Sequence, residues 1–279
     1  MSLAIVFAWW SAFSPQLARP EPAPPVASEP ARESVSVRTA PRPSVPRFTL
    51  AVEDRPLWRS LRYRDDVARV LRGYDLAANA IGASAIARPL AGAPGLHVTL
   101  AGELVIGVGG SRTSDGAEYG TAASEWSIGA GYAARIGGLT VGATAGFGEH
   151  RFHVDDDAML APGDRELVPD MDYRWLRPGL DAERRVSRRV TATAHAGWRH
   201  LLRIGDLDSA AWFPRGHGAG IDAALGLDLR LSRRVTAYAR VDLRRYFFTM
   251  DPQVGDALVA GGAVDQYLGG AIGAAVAIP

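Results

Sequence analysis

Any chemistry in this chain has to come from carboxylates, histidines and arginines. None of its 279 residues is cysteine, which excludes a disulfide framework and a thiolate metal site. The densest candidate is the acidic stretch HVDDD, His153 to Asp157, with Asp170 and Asp172 across the same connection. Carboxylates beside a histidine can take a proton from water and activate it for hydrolysis. The same composition describes a solvated or weakly cation-binding loop. The spacing matches no catalytic motif, so no catalytic residue, metal ligand or cofactor is assigned.

His195 could serve a serine hydrolase, yet no Gly-x-Ser-x-Gly accompanies it, and a polar residue paired with Asp or Glu is the better account. The glycine-rich GVGGSRTSDG, Gly107 to Gly116, precedes loop and strand rather than a helix whose N-terminus could hold phosphate. It reads as a hairpin loop.

A larger set comes from alternation. Arg62, Asp75, Glu103, Glu125, His195, Arg199, Asp222, Asp228, Arg230, Arg240, Asp242 and Arg244 lie within strand-like stretches, on the row opposite the apolar one. In Leu96 to Val108, LHVTLAGELVIGV, one parity is Leu, Val, Ile or Gly and the other carries His97, Thr99 and Glu103. Ala219 to Leu231 and Val235 to Leu243 split the same way.

The elements that must position these charges are therefore strands. About ten are expected, with eight to twelve compatible: 48–64, 73–88, 95–109, 122–136, 138–150, 171–184, 189–202, 219–231, 234–248 and 264–278. Arg174 and Arg177 fall on opposite parities, so the sixth strand needs a bulge or an interfacial arginine. The phrases SRRVTATAHA at Ser187 and SRRVTAYARV at Ser232 mark tight turns into new strands, as does RIGGLTVGA before Leu139. The other connections, Ser111 to Thr121, His150 to Asp170, Ile204 to Gly218 and Met250 to Ala263, are long and polar. Short turns at one end and long loops at the other make an up-and-down antiparallel pattern.

These strands exceed the five or six residues usual in soluble sheets, and roughly 9–11 tilted residues cross a bilayer. In hydrocarbon an open edge would leave backbone groups unpaired, so a membrane sheet must close into a barrel. The apolar row then faces lipid and the charges face a narrow lumen, where opposite signs pair as a plug. A soluble barrel would reverse the two faces. Trp126, Tyr132, Tyr173, Trp175, Trp198, Tyr246, Phe247, Phe248 and Tyr267 suit interfacial girdles.

Residues 1–18 read as a signal-peptide-like segment around the apolar run Leu3 to Phe13, 19–47 as a proline-rich disordered linker, and 48–279 as the barrel. The net charge of +1, from 31 basic residues (all arginine) and 30 acidic ones, offers no field for nucleic acid.

Signal-like start, amphipathic strands, tight turns, long loops and the final strand VDQYLGGAIGAAVAIP together resemble bacterial outer-membrane β-barrel proteins. The resemblance is architectural. It implies an all-β transmembrane barrel in the bacterial outer membrane, with outer-membrane lipid and the barrel-assembly machinery as partners. Members of that class typically end in an aromatic residue, whereas this chain ends in Ile278-Pro279. The function expected is non-enzymatic: structural or narrow and pore-like, with a charge-paired lumen and long extracellular loops. One alternative is an outer-membrane hydrolase with acidic rim residues, since ten strands is also the number in omptin-type proteases. The other is a soluble barrel binding an apolar ligand.

Overall fold

The computed structural model describes residues 46–66, 71–90, 93, 95–106, 113, 116, 118–155 and 168–279, and the backbone alone of 107–112. The proposed signal and most of the linker lie outside the described residues. Ten strands run β1 Phe48–Arg64, β2 Tyr74–Ala87, β3 Leu96–Thr113, β4 Gly120–Ile136, β5 Leu139–Asp155, β6 Met171–Arg185, β7 Val190–Ile204, β8 His217–Arg230, β9 Val235–Thr249 and β10 Gly262–Ile278. Each pairs antiparallel with its sequence neighbours, and β1 pairs with β10 from Phe48↔Ile278 to Arg64↔Gly262, which closes the barrel. No helix among the described residues is long and apolar enough to cross a membrane.

The short turns follow from local chemistry. Ser187 Oγ accepts the N–H groups of Arg189 (3.2 Å) and Val190 (3.0 Å). Ser232 Oγ does the same for Arg234 (3.1 Å) and Val235 (3.0 Å). The repeated phrase is thus one serine-capped turn used twice. Between β4 and β5 the turn passes through Gly137 at φ 61°, a left-handed conformation that glycine adopts without strain.

The apolar rows face outward. Leu100, Leu104 and Ile106 of β3, Leu225 and Leu227 of β8 and Val241 of β9 are all exposed. A soluble barrel would hide them, so this is the surface of a membrane-spanning barrel. Outward aromatics form two levels, Phe48 and Tyr132 toward the short turns and Trp58, Trp126 and Trp198 toward the long loops.

Two sequence expectations need correction. Several strands run further toward the long loops than expected: Ser111–Thr113, Gly120, Thr121, Arg151–Asp155, His217, Gly218, Gly262 and Ala263 are paired strand, not connection. Backbone pairing is indifferent to side-chain polarity, and Phe152 and Val154 still pack inward between exposed Arg151 and His153. Among the aromatics, Tyr173, Trp175, Tyr246, Phe248 and Tyr267 are buried inside the barrel rather than in a girdle. The two arginines of β6 follow the interfacial alternative, and the extra residue at the neighbouring register shift, Leu202, is on β7. Arg174 faces outward near the rim, Arg177 faces inward, and the register with β7 shifts between Arg174 and Trp175.

Candidate functional site

The lumen is where the charged rows converge. Glu53 and Arg55 of β1 face it, and Arg55 donates to Glu53 (2.8 Å) and Asp242 (2.6 Å) and ion-pairs with Glu103 (3.0 Å). Glu53 also accepts from Arg240 (2.5 Å) and the Tyr238 hydroxyl (2.9 Å). Arg244 bridges Glu103 (3.2 Å) to Glu125 (2.6 Å). Arg199 continues from Glu125 (3.1 Å) to Asp222 (3.0 Å) and donates to the Tyr246 hydroxyl (2.7 Å).

Asp222 accepts from Arg177 as well, and His195 lies between Asp222 (3.0 Å) and Asp181 (2.5 Å). His150 joins at Glu125, 3.1 Å away, and reaches the Tyr267 hydroxyl at 3.1 Å. The result is one belt of alternating charge linking side chains from nine of the ten strands across the barrel.

Above the belt, toward the long loops, the lumen becomes an apolar core. Leu57, Leu61, Tyr74, Leu76, Phe152, Met171, Tyr173, Tyr246 and Phe248 are buried there. Leu207, Trp212, Phe213 and Leu258 of the loops belong to the same cluster. Inside this core sits one ion pair at 0% exposure on both sides: Arg59 donates from two nitrogens to both oxygens of Asp265 at 2.9 Å. Tyr173 adds a third bond to Asp265 at 2.7 Å, and the Arg59 guanidinium lies 3.5 Å from the Phe152 ring centre. Gly148 on β5 lets Trp175 lie against the wall, because a Cβ there would come within 2.4 Å of its ring. The cavity lined by Leu57, Leu76, Glu103, Val105, His150, Phe152 and Tyr267 measures only 10 Å³, too small for more than about one water.

The structure brings together Glu103, Glu125, His195, Arg199, Asp222, Arg240, Asp242 and Arg244 of the expected set. Arg62 and Asp75 are not lumenal. They pair with each other at 2.5 Å on the outer wall near the rim, with side chains 51% and 40% exposed. At that height the inside is apolar and the outside meets headgroups and water, so the polar row has changed sides. Asp228 faces inward beside Glu183 and Arg240, near the short-turn end. Arg230 is exposed at that edge and takes no part in the belt.

Sequence reasoning missed Glu53, Arg55, Arg59, His150, Arg177, Asp181 and Asp265. In β1 the inward row reads Glu53, Arg55, Leu57, Arg59, Leu61, a regular alternation once Pro56 and Asp54 are allowed on the other face. Parity alone could have found it.

At the rim, His153 lies 2.6 Å from Asp170, whose other oxygen accepts the Val154 N–H at 3.1 Å. Asp172 pairs with Arg203 at 3.1 Å. His153 shares the outward row of Trp126 and Glu149, so this dyad is on the wall rather than in a cleft. Asp156 and Asp157 lie outside the described residues. Among the described residues no group of three or more His, Asp or Glu is arranged to hold a metal ion.

No protein-family model and no curated protein sequence matches the chain. Similar solved structures are outer-membrane barrels. The outer membrane protease OmpT from Escherichia coli aligns with a TM-score of 0.51 at 10% identity, over 83% of this chain and 96% of that one. The β domain of the Bordetella autotransporter BrkA aligns at 0.40, with 14% identity, over 80% and 98%. The translocator domain of the autotransporter NalP from Neisseria meningitidis gives 0.40, 10%, 82% and 88%. At these identities what is shared is the fold.

Proposed function

We propose that this chain, a closed barrel of the bacterial outer-membrane kind, is a sealed and non-enzymatic membrane anchor rather than a conduit. One observation carries this: the loop-side half of the lumen is a packed apolar core with the Arg59–Asp265 pair buried inside it. A solute would have to part aromatic side chains and then cross a belt in which each carboxylate is already paired with an arginine or a histidine. The charge belt ties opposite walls together, and the loops are left to meet the outside.

Conductance across planar bilayers tests this. Folded protein should give no unitary current steps, and reproducible ohmic steps from the unaltered chain would overturn the reading. The hydrolase alternative has the His153–Asp170 dyad in its favour. Its outward placement, and the capture of Asp172 by Arg203, weigh against a water-activating pair. Peptidase or lipid-hydrolase activity in folded protein that disappears on Asp170→Asn would favour the hydrolase instead.

A further inference from the structure

Among the described residues the wall carries an anomaly that neither the plug nor the loops use. Asp54 of β1 is on the outward row and exposed, and it accepts a hydrogen bond from Asn79 of β2 at 2.6 Å. On the same row Phe48 and Trp58 mark the two aromatic levels. With about 2.5 Å of height per tilted residue, Asp54 stands about 15 Å above Phe48 and about 10 Å below Trp58, inside the hydrocarbon band.

The backbone is irregular at the same place. Pro56 has no N–H, and the β1–β10 ladder is interrupted between Asp54↔Ile272 and Leu57↔Gly269. The β2–β3 register shifts on both sides of the Ala78–Asn79 pair. Lipid chains offer neither donors nor acceptors, so a carboxylate and an amide here gain only if protein covers them.

We propose that this face, centred on Asp54 and Asn79, is where a second copy of the chain packs, about a two-fold axis normal to the membrane. The patch is self-complementary: it presents an acceptor and a donor side by side. Two copies facing each other would place the amide of each against the carboxylate of the other, as an isologous contact requires. Pro56 and Gly270 are small on one side of the patch, while Ile81 and Ile272, directly opposite Asp54 on the two flanking strands, are exposed and offer apolar contact around the polar pair. The inference does not depend on whether the lumen is sealed.

The chain has no cysteine, so single-cysteine variants report contacts without background. Ala77→Cys, Ile81→Cys and Val52→Cys ring the patch, and Leu225→Cys on β8, at 64% exposure, is the control. After mild oxidation of intact outer membranes, at least one ring position should give a disulfide-linked dimer several-fold above the control. Adding Asp54→Leu with Asn79→Leu should return it to the control level, with the heat-shifted mobility of the folded barrel kept. The proposal fails if all ring positions match the control, if the linked product contains a different protein, or if the double leucine variant crosslinks undiminished.

Discussion

The two halves of the lumen are enclosed by the same strands at the same two-residue period, yet they are filled in opposite ways. Toward the long loops the inward positions are Leu57, Leu61, Tyr74, Phe152, Tyr173, Tyr246 and Phe248, all buried. Toward the short turns, beside the charged Glu183 and Asp228, they include Thr49, Ala51, Thr99, Ala101, Ser127, Gly129, Thr144, Thr193 and Gly226, all only half-buried. The charge belt lies where the two meet. A barrel of about this width can be filled by side chains, and this chain uses large ones on one side of the belt and leaves the other side to water.

The largest effect expected from breaking this contrast is at the buried pair. Asp265→Ala strands Arg59 in the apolar core and should cost about 3–5 kcal/mol in urea unfolding followed by gel mobility. Arg59→Met with Asp265→Leu should recover most of that loss, because what costs is the unpaired charge rather than the missing bond.

Next comes a matched truncation on the two sides of the belt. Phe152→Ala should lose about 3 kcal/mol or more by opening a cavity, whereas Thr193→Ala in the half-buried region should stay within about 0.5 kcal/mol. Equal losses would mean that the short-turn half is packed as well. Arg62→Ala, which removes the half-exposed partner of Asp75 at the rim, should cost less than about 1 kcal/mol in the same assay.

The smallest effect is in the loops. The Arg215 guanidinium beside Asp256 holds its carboxyl below the ordinary 3.8, and Asp256 accepts the Gln253 N–H at 2.6 Å. A folded-state value below the unfolded one means that the contribution is present above the unfolded value and is lost as pH falls through the folded one. Hydrogen-exchange protection of the Gln253 amide should therefore persist at neutral pH and fade only in strong acid. Arg215→Ala should move that loss to higher pH.

How much of this was legible beforehand depends on height in the membrane. Between the aromatic levels the alternation could be read directly: β1 has the bounds expected from sequence, and Glu103, Glu125, Asp222 and Arg244 do meet in the lumen. Near the rim it could not. Alternation tells which residues share a face and carries no mark of depth, so the row holding Arg62 looked lumenal although it is outside, and Tyr173 and Tyr246 looked interfacial although they are core. Pairing across the lumen was equally hidden. Arg59 and Asp265 are 206 residues apart, and no local pattern joins them.

That separation has a consequence for how the barrel is made. Arg59 is on the first strand and Asp265 on the tenth, while Arg55 and Glu53 of the first strand find Asp242 and Arg240 on the ninth. During synthesis and insertion Arg55 can already meet Glu53 and Glu103, but Arg59 must wait for the strand made last. Neutralising Arg59 and joining the seam are thus a single event, so a barrel that lacks its last strand carries a cation in its apolar half that distinguishes it from a finished one.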